Sequence, residues 1–335
     1  MAMAEITSPS GVLASSVEDR PEWRAKRRSI EEAIVDSFHS STPLIEVVGS
    51  HVLNSGGKRL RPMLLILSAA AAGYEGTEDE HLACVIEWIH AATLLHDDVL
   101  DDAELRRGRP TARAIWGNRI SVFIGDYAYF QSVMALTRLP HALAECLLDA
   151  CHTLVLGELL QWSQAATART SEAEYLHVLE CKTGALIAAT CKAGGILAHA
   201  PDDECAALCG FGLHLGIAFQ LTDDALDYLS PPAFGKVAGK DFQQGLLTLP
   251  LLHLLRTCPA HDRDWVTQCL TAGSYGQEVF ASVQALLIHY GSLDYTLSVA
   301  RDFVESAKRH LTHVRPSCHK ETLFAIADFA VMRGH

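Results

Sequence analysis

The 335-residue sequence lacks several patterns that mark particular protein classes. It has ten cysteines but no Cys-x-x-Cys pair, so we interpret the cysteines as small buried side chains rather than metal or redox ligands. Basic residues are outnumbered by acidic ones, 27 to 40, and the net charge of −13 argues against a general nucleic-acid or anionic membrane surface. Any positive charge that serves a function must therefore be confined to particular sites in this acidic chain.

Long apolar runs and targeting signals are also missing. We expect no membrane span, because no run approaches the roughly 18 uncharged apolar residues required without interruption by Arg, Lys, His or Pro. Residues 1–20 are rich in Ser, Pro and small residues and lack the basic start and apolar core of a secretory signal. The sequence thus predicts a disordered tail over residues 1–20 and a cytoplasmic protein.

The alternation typical of strands is almost absent, whereas apolar residues spaced three and four apart recur from Pro21 to the C-terminus. This pattern predicts a single all-α domain over residues 21–335, with helices apolar around most of their circumference as in a large bundle. Ser230–Gly245, with two prolines and three glycines, is expected to be a loop. The predicted helices are 22–38, 43–54, 60–73, 78–103, 119–138, 141–164, 171–199, 202–229, 246–257, 262–271, 276–290, 293–313 and 319–332.

Two Asp-Asp-x-x-Asp motifs end apolar helical segments. In the first, Asp97 and Asp101 lie one turn apart on one helix face, with Asp98 beside them. Like charges at this spacing destabilise a helix by roughly 0.2–0.5 kcal/mol per pair, so bound cations are expected to offset them. Carboxylate oxygens favour Mg²⁺. The second motif has the same spacing and comprises Asp223, Asp224 and Asp227.

Basic side chains stand at several separate places near these motifs. The turn Ser55–Pro62 places cationic side chains at a helix N-terminus, where they oppose the helix dipole unless an anion binds. Together with the other basic residues named below, this turn supplies more positive charge than one diphosphate needs, which fits two diphosphate-bearing molecules facing each other in an apolar helical cavity. The other basic residues are Arg106 and Arg107 after the first motif, Lys182 in a nearly uncharged helix, and Lys236 and Lys240 after the second motif.

A di-iron site in a helical bundle is an alternative. Two Glu-x-x-His motifs on predicted helices, Glu87 to His90 and Glu174 to His177, have the spacing that such sites use. This hypothesis leaves both aspartate motifs and the basic turn unexplained, so we favour the diphosphate interpretation.

Five motifs, in their order, resemble the trans-polyprenyl diphosphate synthase family, and within it the bacterial octaprenyl diphosphate synthases. They are Gly-Gly-Lys-Arg-Leu-Arg-Pro, His-Asp-Asp-x-x-Asp with Arg-Arg-Gly, Lys-Thr-Gly, Phe-Gln-Leu-x-Asp-Asp-x-x-Asp, and Gly-Lys-x-x-Gly-x-Asp with Thr-Leu-Pro. The resemblance begins near Ile45 and extends to the C-terminal helix. It implies a prenyltransferase with an isoprenoid-synthase-type helical bundle around a deep central cavity, usually as a homodimer.

The resemblance also implies roles for individual residues. Two Mg²⁺ ions would be held by Asp97 and Asp101 and a third by Asp223, with support from Asp98, Asp224 and Asp227. The allylic diphosphate, farnesyl or geranylgeranyl, would be held by Arg106, Lys182, Gln220 and Lys236. Isopentenyl diphosphate would be held by Lys58, Arg61, His90 and Arg107, while Thr183 positions the reacting ends.

In this family the residues one turn before the first aspartates set product length. Here they are Ala92 and Thr93, which are small and leave a path for the growing tail, with Ile89 and Trp88 as candidates for its floor. Because one helical turn of about 5.4 Å matches roughly one isoprene unit, we expect a product of about forty carbons, a precursor of quinone side chains. The alternatives are a twenty-carbon geranylgeranyl product, a non-catalytic subunit of a heteromeric synthase, and a terpene cyclase, which does not need the second diphosphate site.

One position departs from the family pattern. Leu246 stands where family members often have a lysine, in the loop before Thr-Leu-Pro. Lys240 is a candidate to replace that lysine.

Overall fold

The computed structural model describes residues 21–36, 42–53, 59–165, 170–229, 239–273 and 276–332, which are almost entirely helical. The all-α prediction is confirmed. The first helices are α1 (Pro21–Asp36), α2 (Pro43–Leu53), α3 (Leu60–Ala71), α4 (Glu78–Leu100), α5 (Ala112–Leu136), α6 (His141–Ala165), α7 (Glu172–Leu179) and α8 (Ala185–Leu197). They are followed by α9 (Asp202–Leu229), α10 (Lys240–Gln243), α11 (Leu249–Thr257), α12 (Ala260–Thr271), α13 (Gln277–His289), α14 (Ser292–Leu311) and α15 (Cys318–Met332).

Some boundaries differ from the prediction. The helix expected from residue 119 begins at Ala112, because the Thr111 hydroxyl caps it by accepting from Ala114 N, and it bends at Gly117, whose φ is 81°. It follows a short antiparallel hairpin of β1 (Leu105–Arg106) and β2 (Arg109–Pro110).

Further along the chain, the segment expected as one helix over 171–199 contains a π-helical turn, Glu180–Gly184, between α7 and α8. The expected loop over 230–245 contains α10. The helix expected from residue 246 begins at Leu249, with a proline in its first turn. The predicted tail, residues 1–20, lies outside the described residues.

α9 is the central helix and packs on both α8 and α14. Its glycines permit close approach, since a Cβ at Gly212 would lie 2.6 Å from the Ile187 carbonyl oxygen and one at Gly216 would lie 3.0 Å from Gly184 Cα. Residues 205–222 of this helix contain no Asp, Glu, Lys or Arg, but His214 interrupts the apolar run, as expected for the longest apolar segments of the chain. The helix is long and apolar enough to span a bilayer, but 67% of its most apolar window is buried within the structure.

The main hydrophobic core extends from Ile30 on α1 to Ala330 on α15. Leu64, Phe211 and Leu215 are fully buried in it. A second cluster around Tyr228, Phe242 and Leu251 lies beneath the C-terminal helices. Since each such side chain contributes about 1.5–3 kcal/mol on burial, these clusters hold α4 and α9 firmly. Both helices carry an aspartate motif at the C-terminal end.

Candidate active site

The C-terminal ends of α4 and α9 meet at one cavity of about 430 Å³. Asp97 and Asp101 of the first motif and Asp224 of the second line it. The structure therefore places residues of both aspartate motifs in the wall of the same cavity. The remaining lining residues are Leu100, Asp102, Arg106, Glu158, Gln161, Trp162, Tyr175, Leu179, Lys182, Gln220, Lys240, Asp241, Gln244, Leu246 and Thr248.

The first motif is neutralised in part by two basic side chains. Buried Asp98 accepts a hydrogen bond from Arg106 Nε at 2.8 Å, and Asp101 Oδ2 accepts one from Lys240 Nζ at 2.8 Å. For Asp97, burial and the neighbouring negative charge of Glu158 raise the pKa to about 6. Its ionised form is therefore destabilised and would gain from a bound cation.

The second motif presents Asp224 to the cavity. The Tyr175 hydroxyl donates to Asp224 Oδ2, and Gln220 Nε2 donates to Oδ1 at 2.8 Å. Burial raises the pKa of Asp224 to about 7, although both hydrogen bonds oppose this shift. Gln220 Oε1 also accepts from the Thr183 hydroxyl at 3.2 Å. One hydrogen-bonded chain thus joins Asp224 to the Lys-Thr-Gly motif.

The other two aspartates of the second motif lie differently. Asp227 Oδ2 accepts a hydrogen bond from Asp241 N at 3.1 Å, and the Asp227 carbonyl accepts from Gly239 N at 3.0 Å. Burial raises the pKa of Asp227, and these backbone N–H groups oppose the shift. Asp223 is exposed. Among the described residues that line the cavity, Asp224 alone comes from this motif.

Lys182 is held by side chains that the sequence analysis missed. Its Nζ donates to Glu158 Oε2 at 2.9 Å and to Gln161 Oε1 at 2.8 Å. Gly157 allows this approach, because a Cβ there would lie 2.6 Å from the Lys182 backbone N. A sequence signal was present, since Glu158 and Gln161 are three residues apart behind a glycine in a largely apolar helix.

A second group of basic residues surrounds His90. Burial and the positive charges of Arg61 and Arg107 hold the pKa of His90 well below its usual range, so the imidazole is neutral. Burial also lowers the pKa of Arg61, whose Nε has no hydrogen-bond partner among the described residues. Arg59 anchors the group by donating to Glu87 Oε1 and to the Leu53 carbonyl, each at 2.6 Å.

Two predicted basic residues, Lys58 and Lys236, lie outside the described residues.

The two Glu-x-x-His motifs do not build a di-iron site. Glu87 is the buried partner of Arg59, and Glu174 forms the capping box of α7 with Ser171. His177 Nδ1 is instead 3.3 Å from Glu180 Oε2. Within the described ranges, no three His, Cys, Asp or Glu side chains are already arranged as a metal site.

The residues expected to set product length lie further up α4. Trp88, Ile89 and Ala92 are buried in the main core, and the hydroxyl of half-buried Thr93 donates to the His90 carbonyl at 2.8 Å. None of these four is among the described residues that line the 430 Å³ cavity.

Comparison with known proteins identifies the family. The profile described as Polyprenyl synthetase matches residues 42–287. The chain is also 35% identical to the octaprenyl diphosphate synthase of Escherichia coli over 306 residues, which cover 91% of this chain and 94% of the relative. The chain belongs to the polyprenyl synthetase family. As a member of this family it is a prenyltransferase, with the all-α isoprenoid synthase fold.

Solved structures of family members agree with this assignment. A polyprenyl synthase from Caulobacter crescentus, complexed with calcium and isoprenyl diphosphate, has a TM-score of 0.90 at 33% identity and covers 99% of this chain and 100% of that one. A decaprenyl diphosphate synthase from Rhodobacter capsulatus has a TM-score of 0.89 at 34% identity, with coverage of 98% and 100%.

Proposed function

We propose that the protein is a Mg²⁺-dependent trans-polyprenyl diphosphate synthase, which condenses isopentenyl diphosphate with an allylic diphosphate such as farnesyl or geranylgeranyl diphosphate. The observation that carries this proposal is the single cavity lined by Asp97, Asp101 and Asp224 together with separate cations. A diphosphate with its metal ions needs carboxylates to hold the metal ions and cationic side chains to hold the phosphate oxygens, all at close range. These cations are Arg106, Lys182 and Lys240.

The donor set fits Mg²⁺. We assign two ions to Asp97 and Asp101 and a third to Asp223, with Asp98, Asp224 and Asp227 in support. All are carboxylates, the hard oxygen ligands that Mg²⁺ prefers. The raised pKa of Asp97 supports the assignment, because a group destabilised in its ionised form by burial and neighbouring carboxylates gains most from a cation. Bound Mg²⁺ would supply charge neutralisation at the leaving diphosphate.

The cations divide into two sets, one for each substrate. Arg106, Lys182, Gln220 and Lys236 are assigned to the allylic diphosphate, and the position of Lys240 in the cavity supports its addition to this set. Lys58, Arg61, His90 and Arg107 are assigned to isopentenyl diphosphate. The free Arg61 Nε and the neutral His90 ring provide hydrogen-bond donors there, and the surrounding arginines provide the charge.

The chemistry follows from this charge distribution. As the allylic C–O bond breaks, negative charge grows on the departing diphosphate and is stabilised by Arg106, Lys182 and Lys240. The isopentenyl double bond attacks the allylic cation, a C–C bond forms, and the lost proton goes to a diphosphate oxygen. Thr183 and Gln220 orient the reacting ends through their shared hydrogen bond. Leu179 and Leu246 form an apolar part of the cavity lining, which would shield the cation from water.

We propose a product of about forty carbons for quinone side chains. Ala92 and Thr93 are small and leave the path of the growing tail open, and each open helical turn admits roughly one further isoprene unit. Similarity to octaprenyl and decaprenyl synthases supports a long product. A twenty-carbon product would require the floor to lie near Trp88 and Ile89. A non-catalytic subunit is disfavoured, because both aspartate motifs are intact.

We also propose a homodimer of chains in which residues 21–335 form one domain. A broad apolar face on α5 and α6 supports the dimer, since patches of this kind mark protein interfaces. Phe123, Phe130 and Leu159 are 67%, 62% and 61% exposed. Light scattering should give twice the chain mass for the wild type and a monomer for Phe130→Glu.

Product analysis tests the function. Purified protein with isopentenyl and farnesyl diphosphates is expected to yield, by mass spectrometry, a ladder ending near forty carbons with Mg²⁺ and nothing with EDTA. An end point at twenty carbons would retain the chemistry and place the floor at Trp88 and Ile89. Absence of product in both conditions would contradict the proposal and favour the subunit alternative.

A further inference from the structure

A second cavity, of about 310 Å³, lies in the groove between α9 and α14. Its described lining consists of His214, Ser306, Arg309, His310 and His313, and includes no carboxylate. His214 precedes Asp223 by nine residues, which places this cavity about 14 Å along α9 from the second motif. A purely basic and neutral pocket is unusual in a chain of net charge −13.

The geometry fixes which ring nitrogen of His214 carries a hydrogen. His214 Nδ1 is 2.8 Å from the Gly210 carbonyl oxygen, which can only accept, so Nδ1 carries the proton. His214 Nε2 is then the ring nitrogen left for a ligand in the cavity. The ring stacks on His310 with a centroid distance of 5.0 Å. Gly210 provides the room, because a Cβ there would lie 2.5 Å from His310 Cε1.

Arg309 adds a permanent positive charge. Its Nη2 donates to the Ser306 hydroxyl at 2.6 Å, and no ion pair joins it to a carboxylate in the described part of the chain. The neighbouring acid, Glu305, accepts from Lys308 at 3.0 Å. The remaining N–H groups of the Arg309 fork are therefore available to an oxyanion.

The electrostatics favour the same kind of ligand. Burial and then the positive charges of His214, His313 and Arg309 lower the pKa of His310. These are the charged and titratable groups that act on the ring from α9 and from the C-terminal end of α14. An anion bound among these groups would offset their mutual repulsion and favour the imidazolium form of His310. A metal cation would instead be repelled by Arg309.

We propose that this pocket binds a dianion of the phosphate class, either free inorganic phosphate or diphosphate, or the phosphate monoester headgroup of a lipid. The site is distinct from the 430 Å³ cavity and does not depend on the reaction proposed above.

Titration of the full chain in EDTA with inorganic diphosphate tests the site. In protein labelled with ¹³C-histidine, and with signals assigned from His214→Gln and His310→Gln, diphosphate is expected to shift both pocket histidines, more strongly at pH 6 than at pH 8. The Arg309→Gln/His313→Gln variant removes two exposed side chains, so it should fold normally and weaken this binding about tenfold or more. The matched control, Arg138→Gln/His141→Gln, removes the same two side-chain types from another exposed surface and should bind as the wild type does.

Vesicles separate the two sources of phosphate. Co-sedimentation with phosphatidylcholine vesicles containing phosphatidic acid, lost in Arg309→Gln/His313→Gln, would identify a lipid headgroup. Diphosphate-induced shifts without co-sedimentation would identify the free anion. The proposal is overturned if diphosphate leaves the His214 and His310 signals unmoved, or if the pocket variant titrates like the wild type in both assays.

Discussion

Lys240 Nζ donates a hydrogen bond to Asp101 Oδ2 at 2.8 Å, joining residues 139 positions apart in the chain. The bond links α10, which follows the second aspartate motif, to the end of α4, which carries the first. Leu246, at the position where the family often has a lysine, also lines the cavity. Lys240 therefore brings to the cavity the positive charge that Leu246 lacks.

Lys240→Gln is expected to lower kcat/KM for the allylic substrate about tenfold or more, because a charge-assisted contact to diphosphate contributes roughly 1.5–3 kcal/mol. Steady-state kinetics with varied farnesyl diphosphate measures this. Gln243→Ala changes an exposed residue on the same short helix and should leave the kinetics unaltered. Equal kinetics in the two variants would exclude a role for Lys240.

Tyr175→Phe is expected to raise the pH at which activity is half-maximal and to weaken Mg²⁺ binding several-fold. The Tyr175 hydroxyl donates to Asp224, whose pKa is raised to about 7. Loss of this hydrogen bond raises that pKa further, so more of the Asp224 carboxyl is protonated and Mg²⁺ must displace more protons to bind. Calorimetric Mg²⁺ titration and a pH profile report this. Tyr295→Phe is the matched control, because it loses a hydroxyl that donates to Glu172 at 2.8 Å and does not line the cavity.

The metal-free protein is expected to lose stability as pH rises from about 4 to about 7. Folding raises the pKa of Asp224 to about 7 and that of Asp97 to about 6, so in this range the native state binds more protons than the unfolded chain. The free energy of unfolding therefore falls with pH, and Mg²⁺ should restore it. Urea unfolding with EDTA at several pH values measures this. Asp224→Asn should flatten the dependence; an equally steep curve in that variant would assign it to other groups.

Ala92→Phe/Thr93→Phe is expected to shorten the product to about fifteen or twenty carbons while turnover continues, because the large rings block the path within one helical turn of the first motif. Ala91→Phe is the control, since Ala91 is as buried as Ala92 but points about 100° away around the helix. Both changes overpack the core by an estimated 1–3 kcal/mol. Mass spectrometry of the products distinguishes them, and an unchanged length in the double variant would contradict the hypothesis that the growing tail passes Ala92 and Thr93.

Local patterns were sufficient for much of the fold. The helical period from Pro21 onward predicted nearly every helix, because amphipathic and buried helices leave the same spacing of apolar residues wherever they occur. The errors fell at irregular backbone, including the hairpin before Ala112, the π turn at Glu180–Gly184 and the short helix at Lys240. Such features depend on one capping side chain or on a neighbouring helix, and periodicity does not report them.

The sequence by itself determined which residues could carry charge: two aspartate motifs and a set of basic groups whose kind and order fit a diphosphate reaction. Only the tertiary structure decided which of them meet. It placed Asp224 among the described residues that line the cavity, and it paired Lys182 with Glu158 and Gln161. It also brought Lys240 to Asp101. These contacts join distant parts of the chain, and the Lys182 contact depends on close packing at Gly157; distance along a sequence carries no information about such approach.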